Sequence, residues 1–116
     1  MQERLYSYNK VVNSNFSVFK DSIAIPTRIK RITQVCAYLA NGDNHTCRGF
    51  LSLYNEDTNE QIVNTIRINN DKRHYNYKAI RVNCEPEGSN FNFVMNMSNV
   101  DKTQECRLVI LMKYQE

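Results

Sequence analysis

Apolar and polar residues alternate with a period of two along most of this chain, and the period of 3.6 that marks an amphipathic helix is almost absent. The clearest case is FNFVMNM at 91–97, where every second residue is apolar. Alternation of this kind is typical of a strand that is buried on one side. Segment 61–68 predicts a similar strand, with Ile62 on its apolar face and Val63 on its polar face.

The remaining apolar segments complete a series of short strands. They span residues 4–12, 15–20, 22–26, 28–40, 47–54, 77–84 and 106–114. The turns between them are rich in Asn, Asp and Glu, and their spacing is near that of a sandwich or barrel. We predict an all-β fold: a single β-sandwich over residues 1–116, jelly-roll-like, with about eight strands and essentially no helix. Residues 1–12 form either an extended arm or an edge strand.

The last predicted strand is apolar on both faces between Leu108 and Met112. This fits a central strand covered on both sides, or a strand whose outer face meets another subunit. The segment 4–12 has few apolar residues but is rich in hydrogen-bonding groups. This composition is typical of an arm that becomes ordered when it binds a partner. The candidates for subunit contacts are therefore Leu5, Tyr6, Tyr8, Val109 and Leu111.

Composition narrows the class of protein without naming a function. The chain has 116 residues, 41% hydrophobic and 23% charged residues, and a net charge of +3. A net charge this small neither requires nor excludes binding of nucleic acid. No apolar run is long enough for a membrane span, and the first residues lack the apolar core of a signal peptide. From these features we expect no membrane partner and a location in the cytoplasm.

CAYLANGDNHTC at 36–47 places two cysteines and a histidine around a polar turn. The spacing of Cys36, His45 and Cys47 matches no standard zinc motif. A two-residue turn at Asn41 and Gly42 would set the two cysteines opposite each other, but at a position that disfavours a disulfide and with a poor match of apolar faces. A longer loop, with the two strands in different sheets, removes that conflict. We expect free, largely buried thiols and an exposed Asn44 and His45.

No catalytic constellation is visible. His45 and His74 stand in very polar segments outside any recognisable motif, and three glycines do not build a phosphate-binding loop. We therefore expect a protein that is not an enzyme and has no metal site or cofactor.

Basic and aromatic residues are interleaved in RIKRI at 28–32 and KRHYNYK at 72–78. On a small barrel such a strip would follow a phosphate backbone while its tyrosines stack on bases. An alternative function is therefore binding of single-stranded nucleic acid. A further alternative is a carbohydrate-binding sandwich, with tyrosines as the platform because the chain has no Trp. The nucleic-acid candidates are Arg28, Lys30, Arg31, Lys72, Arg73, Tyr75, Tyr77 and Lys78.

A domain of about eight short strands with a leading arm, polar turns and an apolar last strand resembles the small jelly-roll and related β-sandwich subunits of virus particles: minor capsid, capsid-decorating and fibre-head proteins. The resemblance lies in strand order and in the general pattern of the sequence, and it carries over no functional residue. It implies a non-enzymatic structural protein, located in the virus particle, that works as a homo-oligomer or with other virion proteins.

Overall fold

The computed structural model describes residues 3–13, 18–40, 48–69, 78–86, 88–98 and 105–116. They form strands and turns with no helix, so the all-β sandwich predicted from the sequence is confirmed. No helix that could cross a membrane is present in these ranges. The strands are β1 (Glu3–Asn13), β2 (Val18–Ala24), β3 (Arg31–Ala40), β4 (Arg48–Asn55), β5 (Gln61–Asn69), β6 (Lys78–Cys84), β7 (Asn90–Ser98) and β8 (Glu105–Gln115).

Two antiparallel four-stranded sheets make up the sandwich. One has the order β1-β8-β3-β6 and is called the β1 sheet; the other has the order β2-β7-β4-β5 and is called the β2 sheet. The first four strands pair in reverse order with the last four, β1 with β8, β2 with β7, β3 with β6 and β4 with β5. The chain is thus one long hairpin folded over into two layers. This is the strand order of a jelly roll.

The core lies between the two sheets and follows the predicted alternation. Phe91, Phe93 and Met95 of β7 are fully buried, and β8 contributes Leu108 and Ile110 from the opposite sheet. The prediction for 77–84 is also confirmed in the part described: Ile80, Val82 and Cys84 face the core, and the residues between them are exposed. Burial of these side chains supplies the main stabilising free energy of the fold.

The face assignment within β5 is wrong for Val63, which is buried although the alternation placed it on the polar face. The register explains the difference. Leu51 pairs with Ile66 and Leu53 pairs with Val63, so one extra residue of β5 is accommodated in a bulge. The bulge includes Thr65, whose φ is 45°. A bulge reverses the phase of the alternation, so residues on either side of it cannot share one predicted face.

Two predicted strand boundaries also differ from the structure. In the described residues, the predicted strands 15–20 and 22–26 are joined into the single strand β2 (Val18–Ala24), and residues 15–17 fall outside the described ranges. β3 begins at Arg31 rather than at residue 28, because residues 25–30 form a turn in which Ile29 donates its backbone N–H to Pro26. Ile25 and Ile29 are both buried, so this turn closes one end of the core.

The strands that flank the 41–47 loop lie in different sheets, β3 in the β1 sheet and β4 in the β2 sheet. The two-residue hairpin is therefore absent, and Cys36 faces Leu111 and Ala79. Cys36 is a free thiol but only half-buried, whereas Cys84 is free and buried. The predictions for Asn44, His45 and Cys47 fall outside the described residues.

Candidate interaction surface

The outer face of the β1 sheet carries an apolar strip. β-sheet register places Leu5 opposite Lys113, Ser7 opposite Leu111, and Asn9 opposite Val109. Leu5 is 64% exposed and Val11 is 42% exposed. Across β8 the strip continues into β3. We call this set the outer strip: Leu5, Val11, Cys36, Tyr38, Val109 and Leu111.

Positive charge surrounds the outer strip. Arg81 lies in the same row of the sheet as Leu5, and Arg107 lies opposite Val11. The face therefore combines apolar contact area with a positive potential.

The predicted contact residues divide between the two faces of the β1 sheet. Leu5, Val109 and Leu111 lie on the outer face, whereas Tyr6 and Tyr8 point inward and pack against the core. The Tyr8 ring meets Phe93 edge to face at 5.6 Å between centroids. Of the outer three, Leu5 is exposed and Leu111 is half-buried, whereas Val109 is only 5% exposed, so Leu5 and Leu111 are the ones that a second molecule could cover.

A polar cluster holds β1 against β2 at the open edge between the sheets. Lys10 Nζ lies 3.0 Å from Asp21 Oδ2, and the Tyr8 hydroxyl donates to the same oxygen at 3.2 Å. Hydrogen bonding by Lys10 and by the Ser22 backbone N–H lowers the pKa of Asp21, and burial followed by the charge of Asp21 raises the pKa of Tyr8 to about 12. Tyr6 adds a hydrogen bond to the Ala24 carbonyl at 3.4 Å. β1 is therefore an edge strand fastened to its own sandwich.

The candidate nucleic-acid residues that the structure describes are partly engaged within the chain. The Arg28 guanidinium donates to the Tyr114 hydroxyl, which raises the pKa of Arg28. Arg31 binds the Glu85 carboxylate at 2.7 Å and the Asn83 side-chain oxygen at 2.5 Å. Lys30 is exposed.

The second half of the predicted basic strip does not join the first in the described part of the chain. Lys78 begins β6, and Arg31 binds at the other end of the same strand. The two ends of β6, Lys78 and Cys84, are about 20 Å apart. Lys72, Arg73, Tyr75 and Tyr77 fall outside the described residues.

The turn between β4 and β5 is acidic and firmly built. Asn55 is 3% exposed, and its side-chain oxygen accepts from the backbone N–H of Asp57 at 2.8 Å and of Thr58 at 3.2 Å. Its own backbone N–H donates to the Glu60 carbonyl at 2.8 Å. We call residues 56–60 the acidic turn, because Glu56, Asp57 and Glu60 project from it into solvent. In the sequence, an asparagine at the start of a run of polar residues indicates a turn of this kind.

The outer face of the β2 sheet holds a feature that the sequence reasoning missed. A shallow, open depression of about 340 Å³ is lined by Lys20, Asp21, Ser22, Tyr54, Asn92 and Phe93. We call it the Tyr54 depression. Its residues come from three strands, β2, β7 and β4, that are neighbours in the sheet but distant along the chain. Only strand pairing brings them together.

No metal-binding group of three or more His, Cys, Asp or Glu side chains occurs in the described ranges. Burial raises the pKa of both described thiols; for Cys84, with the added effect of Glu60 and Glu85, it reaches about 11. A thiol with so high a pKa is a poor nucleophile at neutral pH.

Comparison with known proteins shows the fold alone. No protein-family model matches the chain, and no curated protein sequence matches it. Among solved structures, the chain is similar to the Yersinia pseudotuberculosis-derived mitogen, with a TM-score of 0.51 and 12% sequence identity over 97% of this chain and 87% of the mitogen. At that identity the likeness supports a β-sandwich and carries no activity.

Proposed function

We propose that this chain is a non-enzymatic structural subunit that assembles with further copies of itself through the outer strip, as part of a virus particle. The observation that carries the proposal is the exposure of Leu5, 64%, on the same sheet face as the half-buried Leu111 in the next row. In the described part of the chain, no third layer packs over this face. Apolar side chains grouped on an outer sheet face mark a contact surface.

The face has the size that an interface between subunits needs. β1 and β8 are each 11 residues long. β3 has 10 residues and β6 has 7. At the usual rise and strand spacing, the four strands cover about 600 Å². Standard interfaces bury about 600–1,000 Å² on each partner, so this face is at the lower end of that range.

Charge indicates how a second copy is oriented. Two outer strips packed face to face would bring Arg81 and Arg107 of both copies together. The acidic turn of the same chain offers the complementary charge, and it lies at one end of the sandwich rather than on the strip. A contact between the strip of one copy and the acidic turn of the next is heterologous, and repetition of it gives rings or extended arrays.

The virion setting rests on the jelly-roll strand order, which viral capsid subunits use and which lectin domains share. Subunits of this kind present many identical contacts instead of a catalytic site. The combination of an exposed apolar strip and a complementary turn on one small sandwich suits that role.

Replacement of Leu5 by Asp tests the proposal. The wild-type chain is expected to form oligomers at high concentration, and L5D is expected to weaken association at least about tenfold, because it places a charge in the apolar contact. Light scattering with mass measurement, over a range of concentrations, gives the oligomeric state.

Phe50→Asp is the matched control. Phe50 is 42% exposed but lies on the outer face of the β2 sheet, so this variant should assemble as the wild type does. A wild-type chain that stays monomeric at high concentration, or equal effects of L5D and F50D, would contradict the proposal. A monomer that retains a single-stranded oligonucleotide at low salt would instead favour the nucleic-acid alternative.

A further inference from the structure

The Tyr54 depression has a fixed arrangement of side chains. Ser22, Asn92 and Tyr54 are directly opposite one another across β2, β7 and β4, and Lys20 lies in the adjacent row. β7 and β4 are the two inner strands of their sheet, paired on both sides. Asn92 and Tyr54 are therefore held by strands that are fixed on both sides and need little reorganisation to meet a ligand, whereas Lys20 and Ser22 come from the edge strand β2.

The two charged side chains that line the depression, Lys20 and Asp21, differ in how they are engaged. Of its two charged lining residues, Asp21 is already compensated by Lys10 at 3.0 Å and by the Ser22 backbone N–H at 2.8 Å. Lys20 supplies the remaining charge. Glu56, which accepts a hydrogen bond from Ser22 at 3.5 Å, lies on the far side of Ser22 from Lys20.

We propose that the Tyr54 depression binds a single sugar ring that carries a carboxylate. The Tyr54 ring offers an apolar surface to the C–H face of the sugar and a hydroxyl at its tip. The Asn92 amide and the Ser22 hydroxyl bind sugar hydroxyl groups, and Lys20 binds the carboxylate through a charge-assisted hydrogen bond. A volume of about 340 Å³ is at the small end of ligand pockets and suits one monosaccharide.

The depression lies on the outer face of the β2 sheet, whereas the outer strip lies on the outer face of the β1 sheet. The site therefore uses none of the outer-strip residues. It borders the acidic turn at one point, where Ser22 donates to Glu56 at 3.5 Å.

The test is a titration of the full chain, followed by NMR of its backbone amides, with four methyl glycosides: those of N-acetylneuraminic acid, glucuronic acid, glucose and galactose. The acidic pair is expected to bind and to shift the amide signals of Ser22, Tyr54 and Asn92. Lys20→Gln should weaken binding of the acidic sugars about tenfold, and Tyr54→Ala should weaken it at least as much.

Lys30→Gln is the matched control, because it removes an exposed lysine outside the depression and should leave binding unchanged. A well-dispersed spectrum shows that each variant is folded, and Lys20→Gln changes only an exposed side chain. The proposal is overturned if no acidic sugar binds at ~10 mM, a concentration at which even weak sites fill. Equal binding of neutral sugars, or shifts confined to residues outside the depression, would overturn it too. Sugar binding does not require oligomers, so its failure is separate from a failure of assembly.

Discussion

Single residues hold together the parts of this sandwich that strand pairing leaves open. Asp21 of β2 joins β1 to β2 by binding Lys10 and Tyr8. The rings of Phe19 and Phe93, its neighbours in β2 and β7, stack on each other. Asn55 satisfies two backbone N–H groups of the acidic turn from a buried position. In both places one short polar side chain replaces the hydrogen bonds that a neighbouring strand would have supplied.

The Asp21 cluster makes stability depend on pH in the acidic range. Because the pKa of Asp21 is lowered in the folded state, its contribution is present above the unfolded value of 3.8 and is lost as pH falls through the folded value. Asp21→Asn is expected to lower the free energy of unfolding by about 0.5–1 kcal/mol at pH 7, as for a partly exposed ion pair. The difference from wild type should shrink toward pH 2. Urea unfolding at several pH values measures it.

Lys10→Gln provides the companion variant for this measurement. If the ion pair causes the effect, the double variant should lose less than the sum of the two single losses. Strict additivity, or an Asp21→Asn penalty that persists undiminished in acid, would show that the cluster does not act through its charges.

At the scale of elements, the irregular positions decide which side chains face the core. The bulge in β5 places both Val63 and Ile68 inside, although residues five positions apart in a regular strand point to opposite faces. A second irregularity between Ile32 and Gln34 does the same for β3, where Ile32 and Val35 are both buried. Each bulge changes the face on which the following residues lie, and so it determines the composition of both sheet faces.

Thr65 is the strained residue of the β5 bulge, since a β-branched side chain is unfavourable at a φ of 45°. Thr65→Asn is expected to raise the free energy of unfolding by about 1 kcal/mol, because asparagine tolerates this conformation. Urea unfolding of the two proteins gives the difference.

Ser52→Ala is the control for the hydroxyl contact, because the Ser52 and Thr65 hydroxyl oxygens lie 3.0 Å apart. The cost of losing that hydrogen bond is then measured separately. A Thr65→Asn variant that is less stable than wild type by more than the Ser52→Ala loss would refute strain at this bulge.

For the molecule as a whole, two features of charge and shape are set by the fold. The β1 sheet presents the outer strip with its cations, and the acidic turn projects from the other sheet. The formal charge of only +3 hides this separation, because the two signs cancel in the sum. A weakly charged chain can therefore carry strongly complementary surfaces.

Charge exchange tests the heterologous contact at this scale. The variant Asp57→Lys with Glu60→Lys should weaken association about tenfold, and Arg81→Glu with Arg107→Glu should do so equally, because each opposes like charges. The four changes combined should restore association. Sedimentation or light scattering at ~0.05 M and ~0.5 M NaCl gives the affinities, since salt screens the effect. Failure of the combined variant to recover would reject this pairing of surfaces.

Much of the fold could be predicted because alternation reports the environment of each strand directly. The strands at 91–97 and 77–84 and the doubly apolar strand at 106–114 needed no partner to be recognised. The candidate contact residues do not all share one face: Leu5, Val109 and Leu111 lie on the outer face, but Tyr6 and Tyr8 do not, because adjacent residues in a strand point to opposite sides. A contact with another subunit stays a prediction. The Tyr54 depression was not predicted, since its residues lie far apart along the chain.

The sequence by itself determined that this protein is an all-β chain with polar turns. It also determined that each alternating segment forms a strand with one buried face. Local patterns suffice for this, because the period of a strand is a property of neighbouring residues. Only the tertiary structure decided the reverse pairing of the first four strands with the last four, the phase at each bulge, and the surfaces that result. These depend on contacts between residues as distant as Glu3 and Gln115, and no local preference specifies which strand lies beside which.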